Sequence, residues 1–106
     1  MNDIQFFEAA RNFAQHVMQT NTSTDARITA LFRSATGRFP SAQEAEIIRQ
    51  DFDKQLASYI AKPEEAKKAV SYGESKPDEK LNPAELAAWT MVANLVLNLD
   101  EVVTKG

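Results

Sequence analysis

The sequence predicts an all-α domain, a compact bundle of four to five helices around an apolar helix near the C-terminus. Apolar residues recur at intervals of three and four through most of the 106 residues. Ser, Asn, Pro and Gly stand where helices begin and end. No segment shows the apolar–polar alternation of a strand. We therefore expect residues 1–106 to form a single helical domain.

The composition narrows the classes of function that this chain can serve. Hydrophobic residues make up 43% and charged residues 25% of the sequence, as in typical globular domains. The formal net charge of −3 argues against broad binding to nucleic acid. The absence of Cys excludes disulfides, thiolate metal sites and haem attachment within this chain. No apolar run approaches the roughly 20 residues that span a bilayer, so we expect no membrane insertion by this segment.

Apolar stripes and their polar boundaries predict the first two helices. Asn2 and Gln5 have the spacing of a capping box before a helix over residues 4–19. One face of this helix carries Phe6, Ala9, Ala10, Phe13 and Val17. A second helix is predicted over residues 25–36, with a stripe formed by Ile28, Leu31, Phe32 and Ala35. Gly37 then suits the left-handed position that commonly ends a helix.

The next two helices are separated by a proline. Ser41 and Glu44 form a Ser-x-x-Glu capping box, which predicts a helix that runs to residue 61. Its apolar residues are Ile48, Phe52, Leu56 and Tyr59. Pro63 suits the first turn of a fourth helix over residues 63–72, which Gly73 would end. The thin apolar face of this helix consists of Ala66, Ala69 and Val70. Residues 74–80 are charged and are predicted to form an exposed loop.

The fifth helix has the clearest start. Asn82 is the predicted cap, Pro83 takes the first position, and Glu85 completes the capping box. Leu81 and Leu86 are placed to form a hydrophobic staple. Apolar residues cover most of its circumference: Leu86, Trp89, Val92, Ala93, Leu95, Val96, Leu97 and Leu99. A helix that is apolar on most sides is usually central, so we expect the other helices to pack around it.

No constellation in the sequence carries a recognisable chemistry. His16 is the single histidine, and it lacks the spaced partners of a metal site or a catalytic triad. The three Gly residues do not cluster as a phosphate loop would require. The acids of the third helix are predicted to lie on a solvated face: Glu44, Glu46, Asp51 and Asp53. We therefore expect a non-enzymatic chain with no catalytic residue, metal or cofactor of its own.

Seven residues are candidates for an interaction site or a functional motif: Tyr72, Glu74, Trp89, Asn94, Asn98, Asp100 and Glu101. Tyr72 and Glu74 lie in a turn-like stretch. Trp89 could bind a ligand, although its apolar helix favours a place in the core.

The other four candidates lie on the fifth helix. Asn94 and Asn98 interrupt its apolar surface four residues apart, on one face. Asp100 and Glu101 lie near its C-terminal end, where the helix dipole disfavours acids. Hydrogen bonding to backbone is the common fate of such residues, and contact with a partner is the alternative.

Several of these residues also carry a resemblance. Tyr-Gly-Glu-Ser at residues 72–75, Glu-Leu-Ala-Ala-Trp at 85–89 and Asn-Leu-Asp-Glu at 98–101 resemble a domain of unknown function. That domain closes the large planctomycete-type cytochrome c proteins. Residues 2–11 and 32–44 resemble earlier parts of the same domain. The resemblance implies that this chain is the C-terminal fragment of a larger multidomain protein of the periplasm or cell envelope. Other domains of that parent would carry haem c and would be the partners.

Three hypotheses about function follow. The first is a structural or interaction module that packs against the rest of its parent, which an exposed apolar patch would support. The second is a site for a small ligand or glycan near Tyr72, Glu74 and Trp89, which a concave pocket would support. The third is an enzyme fragment that supplies an acid from Glu74 or Asp100. The first is the prediction, because motifs on buried helices usually specify packing.

Overall fold

In a computed structural model, the backbone is described for residues 4–71 and 76–105, and side chains are described for residues 8–71 and 76–98. The described backbone forms α1 (Ile4–Thr20), α2 (Thr24–Thr36), α3 (Ala42–Ala61), α4 (Pro63–Val70) and α5 (Pro83–Lys105). No strand is present in this part of the chain. The prediction of an all-α bundle is therefore confirmed.

The central element is α5, as its apolar circumference predicts. It packs against each of the other four helices, most extensively against α1 and α3. Its fully buried residues are Leu86, Ala87, Ala88, Trp89, Thr90, Val92, Ala93 and Val96. Leu95 and Leu97 are only half-buried, and the side chain of Leu99 lies outside the described residues. The radius of gyration is 13.0 Å, the value for a compact chain of this length.

The helix boundaries follow the predicted caps. Gly37 has φ 81°, and its N–H donates to the carbonyl of Arg33 at 2.8 Å. The Ser41 hydroxyl accepts from the Glu44 N–H, while the Glu44 carboxylate accepts from the Ser41 N–H at 2.8 Å. Asn82 accepts from the N–H of Glu85 at 3.1 Å. These three boundaries are confirmed because each depends on residues that are close in sequence.

The buried face of α1 differs from the predicted one. Ala10, Ala14, Val17 and Met18 are buried, Phe13 is half-buried, and Ala9 is exposed. The buried positions advance by four, three and one, so they centre on a face that turns away from Ala9. The prediction for Ala9 was wrong, and Ala14 and Met18 were missed. Asn2 and the side chains of Gln5 and Phe6 lie outside the described residues.

Helix α4 ends two residues earlier than predicted. Its C-cap is Ser71, whose N–H donates to the carbonyl of Lys68 at 3.2 Å. The Ser71 hydroxyl donates to the same carbonyl at 2.9 Å. Two donors at this carbonyl tighten the last turn and replace the glycine stop that was predicted at Gly73. Gly73 lies outside the described residues. The apolar face of α4 is confirmed, since Ala66, Ala69 and Val70 are buried.

The predicted loop before α5 is held against α1. The backbone N–H of Asp78 donates to the Gln15 side chain at 2.9 Å, and the Asp78 carboxylate accepts from Gln19 at 2.9 Å. These bonds lower the exposure of Asp78, while Lys76, Glu79 and Lys80 are exposed as predicted. The Asp78 carboxylate also accepts a hydrogen bond from the N–H of Lys80. This bond is the main cause of the lowered pKa of the Asp78 carboxyl, and the bond from Gln19 is the second cause.

Candidate functional site

Trp89 lies in the core, which is the role that its helix favours. The side chain is 0% exposed, and its ring stacks on Phe52 with centroids 4.1 Å apart and planes 25° apart. Its indole N–H is buried and has no hydrogen-bond partner among the described residues. A ring enclosed in this way fills the contact between α5 and α3 and presents no face to a ligand at the surface.

Of the other six candidates, Asn94 and Asn98 are the two whose side chains the structure describes. Asn94 is half-buried, and its side-chain oxygen lacks a hydrogen-bond partner within the described part of the chain. Asn98 is exposed, although it lies one turn away on the same helix. Tyr72 and Glu74 lie outside the described residues. The side chains of Asp100 and Glu101 lie outside them as well, so their roles stay predictions.

Arg11 is a buried charge that the sequence analysis missed. Its side chain is fully buried, and one terminal guanidinium nitrogen donates to the carbonyl of Val70 at 2.7 Å. The other terminal nitrogen donates to Asn12 at 3.3 Å and lies 3.9 Å from the Glu8 carboxylate. Val70 is the last residue of α4, so the cation lies at the negative end of that helix. The sequence signal for the burial of Arg11 was its position, because it adjoins Ala10 and precedes Ala14 by three residues, and both alanines are buried.

Two further polar features of the described residues are His16 and the Arg38–Glu44 pair. His16 is exposed, and the described residues contain no group of three or more His, Asp or Glu side chains that could hold a metal. The Arg38 guanidinium donates two hydrogen bonds to the Glu44 carboxylate, at 2.9 and 2.8 Å. These bonds, followed by the bond from the Ser41 N–H, lower the pKa of Glu44 to about 2. The pair stabilises the start of α3.

An apolar groove opens where α3, α4 and the start of α5 meet. We call it the α3–α4–α5 groove; its apolar lining is Leu56, Tyr59, Ile60, Pro63, Ala66, Pro83 and Ala84, with Lys67, Asn82 and Glu85 completing it. Its volume is about 370 Å³. Ile60 is 63% exposed, although it is a large aliphatic residue. A second cavity of about 350 Å³ adjoins it across Lys67 and Pro83 and includes Leu81 and Leu86. The second cavity also includes Asp78 and Glu79.

Carboxylates border this groove. Glu85 is part of its lining and lies 3.9 Å from Arg27. Glu65 lies close to Tyr59: burial raises the pKa of the Tyr59 phenol, and the charge of Glu65 raises it further. Lys67 is the one cation of the lining, and its amine lies 3.9 Å from the Glu64 carboxylate. Glu65 has no ion-pair partner among the described residues, and Lys62 and Lys68 lie three positions to either side of it.

The turn between α2 and α3 exposes an aromatic residue. Phe39 is 64% exposed, and the Arg33 guanidinium lies 4.3 Å from the centre of its ring. The Thr36 hydroxyl accepts from the N–H of Arg38 at 3.2 Å, and the Arg38–Glu44 pair ties the turn to α3. We call residues 37–41 the α2–α3 turn. Its conformation is fixed by these bonds, although its aromatic side chain is exposed to solvent.

A third concave region is polar. A shallow cavity of about 630 Å³ lies along α2 and is lined by Asn21, Asp25, Ala26, Thr29, Ala30, Arg33 and Ser34. Its hydroxyl, amide and charged groups differ from the apolar lining of the groove. The polar cavity was not predicted, because its residues come from the solvent side of a helix where polar residues are ordinary.

Comparisons with known proteins add no relative. No protein-family model, curated protein or solved structure matches the chain. None of the helices in the described part of the chain is long and apolar enough to cross a bilayer.

Proposed function

We propose that this chain is a non-catalytic interaction module of a larger cell-envelope protein, and that the α3–α4–α5 groove is its docking surface. The groove is the single observation that carries the proposal. It exposes aliphatic, aromatic and proline surface from three helices, which is the lining that protein contacts use at their centres. Its border carries charged side chains, as the rim of a protein interface commonly does.

Burial of this groove would be favourable. Covering Ile60 and the half-buried Leu56 and Tyr59 would remove apolar surface from water, worth about 25 cal/mol per Å² before the costs of association. The groove is built on helices, so little conformational entropy would be lost when a partner binds. These properties favour a docking role for the groove over a role limited to packing within the domain.

The partner follows from the resemblance. Other domains of a planctomycete-type parent, which would carry haem c, are the expected partners, and the periplasm or cell envelope is the expected location. The chain would then bind the other domains of the parent and fix their arrangement, with no cofactor of its own. We assign no catalytic residue to this chain.

Calorimetric titration tests this proposal. The region of the parent polypeptide that precedes this chain is titrated into wild type, Ile60→Asp and Ile47→Asp. Ile47 is the matched control, because it is 53% exposed on the same helix and does not line the groove. We expect wild type and Ile47→Asp to bind equally and Ile60→Asp to bind at least about tenfold more weakly. No binding by wild type, or equal loss in both variants, would overturn the proposal.

A second candidate function is the binding of a small polar ligand or glycan. The polar cavity along α2 supports it, because its amide, hydroxyl and guanidinium groups can bond sugar hydroxyls. Trp89 would take no part, since it is enclosed in the core. A glycan screen by ligand-observed NMR tests this function with wild type and Thr29→Val, which removes one hydroxyl with little change in shape. A hit that Thr29→Val weakens would favour this second function.

A further inference from the structure

Two hydrogen bonds hold the segment before α5 against α1. We call residues 76–81, the described part of this segment that precedes the cap of α5, the strap. The N–H of Asp78 donates to the Gln15 side-chain oxygen at 2.9 Å, and the Gln19 amide donates to the Asp78 carboxylate at 2.9 Å. Both bonds therefore meet at one residue of the strap. The Gln19 bond is exposed to solvent, so water can replace it at a small cost in free energy.

The strap packs loosely where it faces α4 and the start of α5. The cavity of about 350 Å³ lies between them. It is lined by Pro77, Asp78, Glu79 and Leu81 of the strap and by Lys67, Val70, Pro83 and Leu86 of the two helices. Leu81 contacts the core, but it and Pro77 are only half-buried, whereas Val70 and Leu86 are 5% and 1% exposed. Side chains that line a cavity lose part of their packing contacts, so burial stabilises the strap less than it stabilises the helices.

We infer that the strap opens over this cavity while the five helices stay folded, and that Gln15 and Gln19 hold it closed. Segments with few buried apolar contacts and with exposed hydrogen bonds open at a lower free energy than the core does. The strap has both properties. The cap of α5 lies beyond the strap, because Asn82 accepts from the N–H groups of Glu85 and Leu86. Helix α5 therefore keeps its first turn when the strap moves.

Opening of the strap changes the surface that the chain presents to solvent. Val70 and Leu86 become exposed, and the cavity becomes an open cleft between α4 and the start of α5. The strap is then a conformational gate of this cleft, and the closed form is the one that the hydrogen bonds of Asp78 describe. This device goes beyond the docking role proposed for the α3–α4–α5 groove and does not depend on it.

Thiol labelling of the whole chain tests the inference. The chain contains no Cys, so one introduced thiol reports on one position. Leu86→Cys places the thiol at the cavity, and Val92→Cys places it at a buried position of α5 that does not line the cavity. Urea denaturation of each variant gives the labelling rate that global unfolding alone allows. We expect iodoacetamide to label Leu86→Cys at least about tenfold faster than this rate, and Val92→Cys at this rate.

Substitution of Gln19 separates release of the strap from fraying of α5. In the Leu86→Cys chain, Gln19→Glu sets two carboxylates against each other, and we expect it to raise the labelling rate at least about fivefold. Addition of Asp78→Asn should restore most of the slow labelling, because an amide then faces a carboxylate again. Gln50→Glu is the control, because Gln50 bonds the Glu46 carboxylate on the exposed face of α3, and it should leave the rate unchanged. Labelling of Leu86→Cys no faster than global unfolding allows, no acceleration by Gln19→Glu, or equal acceleration by Gln50→Glu would overturn the inference.

Discussion

The guanidinium of Arg11 donates a 2.7 Å hydrogen bond to the carbonyl oxygen of Val70, and so joins α1 to the end of α4. A fully buried cation is costly unless it is bonded and paired, and this one also lies 3.9 Å from the Glu8 carboxylate. The C-terminal carbonyl of a helix carries partial negative charge, which adds to the attraction. The short helix α4 thus gains a polar attachment besides its three buried apolar residues.

Replacement of Arg11 should therefore be among the most damaging changes of a charged residue. Arg11→Met would leave the Val70 carbonyl and the Glu8 carboxylate without this donor, and we expect a loss of about 2–4 kcal/mol in the free energy of unfolding. Arg49→Met is the control, because Arg49 forms ion pairs with Asp25 and Glu46 at a half-exposed site and should cost less than about 1 kcal/mol. Urea denaturation of both variants measures the difference. Equal losses would contradict the role assigned to Arg11.

Two substitutions of Trp89 separate the contribution of its ring to stability from that of its N–H group. Trp89→Ala would leave a cavity beside Phe52, and we expect it to cost about 3–5 kcal/mol in the free energy of unfolding. Trp89→Phe keeps an aromatic ring and removes a buried N–H that has no partner among the described residues, so we expect only about 1–2 kcal/mol. Thermal unfolding followed by circular dichroism compares the two. A Phe variant as unstable as the Ala variant would show that the indole N–H is bonded.

Substitutions of Gly37 test the left-handed conformation that caps the C-terminus of α2. Its φ of 81° is unfavourable for a residue with a side chain, while an added Cβ would have no heavy atom within 4 Å. Gly37→Ala should therefore lose about 1–2 kcal/mol of stability through backbone strain alone. Gly37→Asn should lose less, because Asn adopts the left-handed conformation more readily. Chemical denaturation of the two variants gives the order, and an Ala variant as stable as wild type would contradict it.

The Arg38–Glu44 pair predicts a dependence of stability on pH. The Arg38 bonds, with the Ser41 N–H, lower the pKa of Glu44 from 4.5 to about 2 in the folded chain. A carboxyl with a lowered folded pKa adds stability above its unfolded value, and that stability is lost as pH falls from about 4.5 towards 2. The difference in unfolding free energy between wild type and Glu44→Gln should shrink over this range. Carboxyl NMR should show Glu44 titrating at higher pH in Arg38→Gln, and an unchanged midpoint would refute the assignment.

The local features of this fold were predictable, and those that depend on distant residues were not. The caps at Gly37, Ser41 and Asn82 bond to residues within a few positions, so their sequence signals were sufficient. The central place of α5 followed from its apolar circumference. Arg11 escaped prediction because a charged residue is usually solvated, and its partner Val70 lies 59 positions away.

The candidate site was less predictable than the fold. The groove draws Ile60, Pro63 and Pro83 from three helices, and no interval in the sequence shows that they meet. Phe39 likewise follows a helix end that was correctly predicted, but its exposure depends on how α2 and α3 pack. Of the predicted candidates, Trp89 proved to be a core residue, because the stacking on Phe52 encloses it.

The docking role of the α3–α4–α5 groove is the central claim, and NMR chemical-shift mapping tests it most directly. The ¹⁵N-labelled chain is titrated with the unlabelled preceding region of the parent that we propose, and amide shifts are mapped onto the helices. We expect the largest shifts at residues 56–67 and 82–86 around the groove, and we expect Ile60→Asp to abolish them. Shifts concentrated along the polar cavity of α2, or no shifts at saturating concentration, would contradict it.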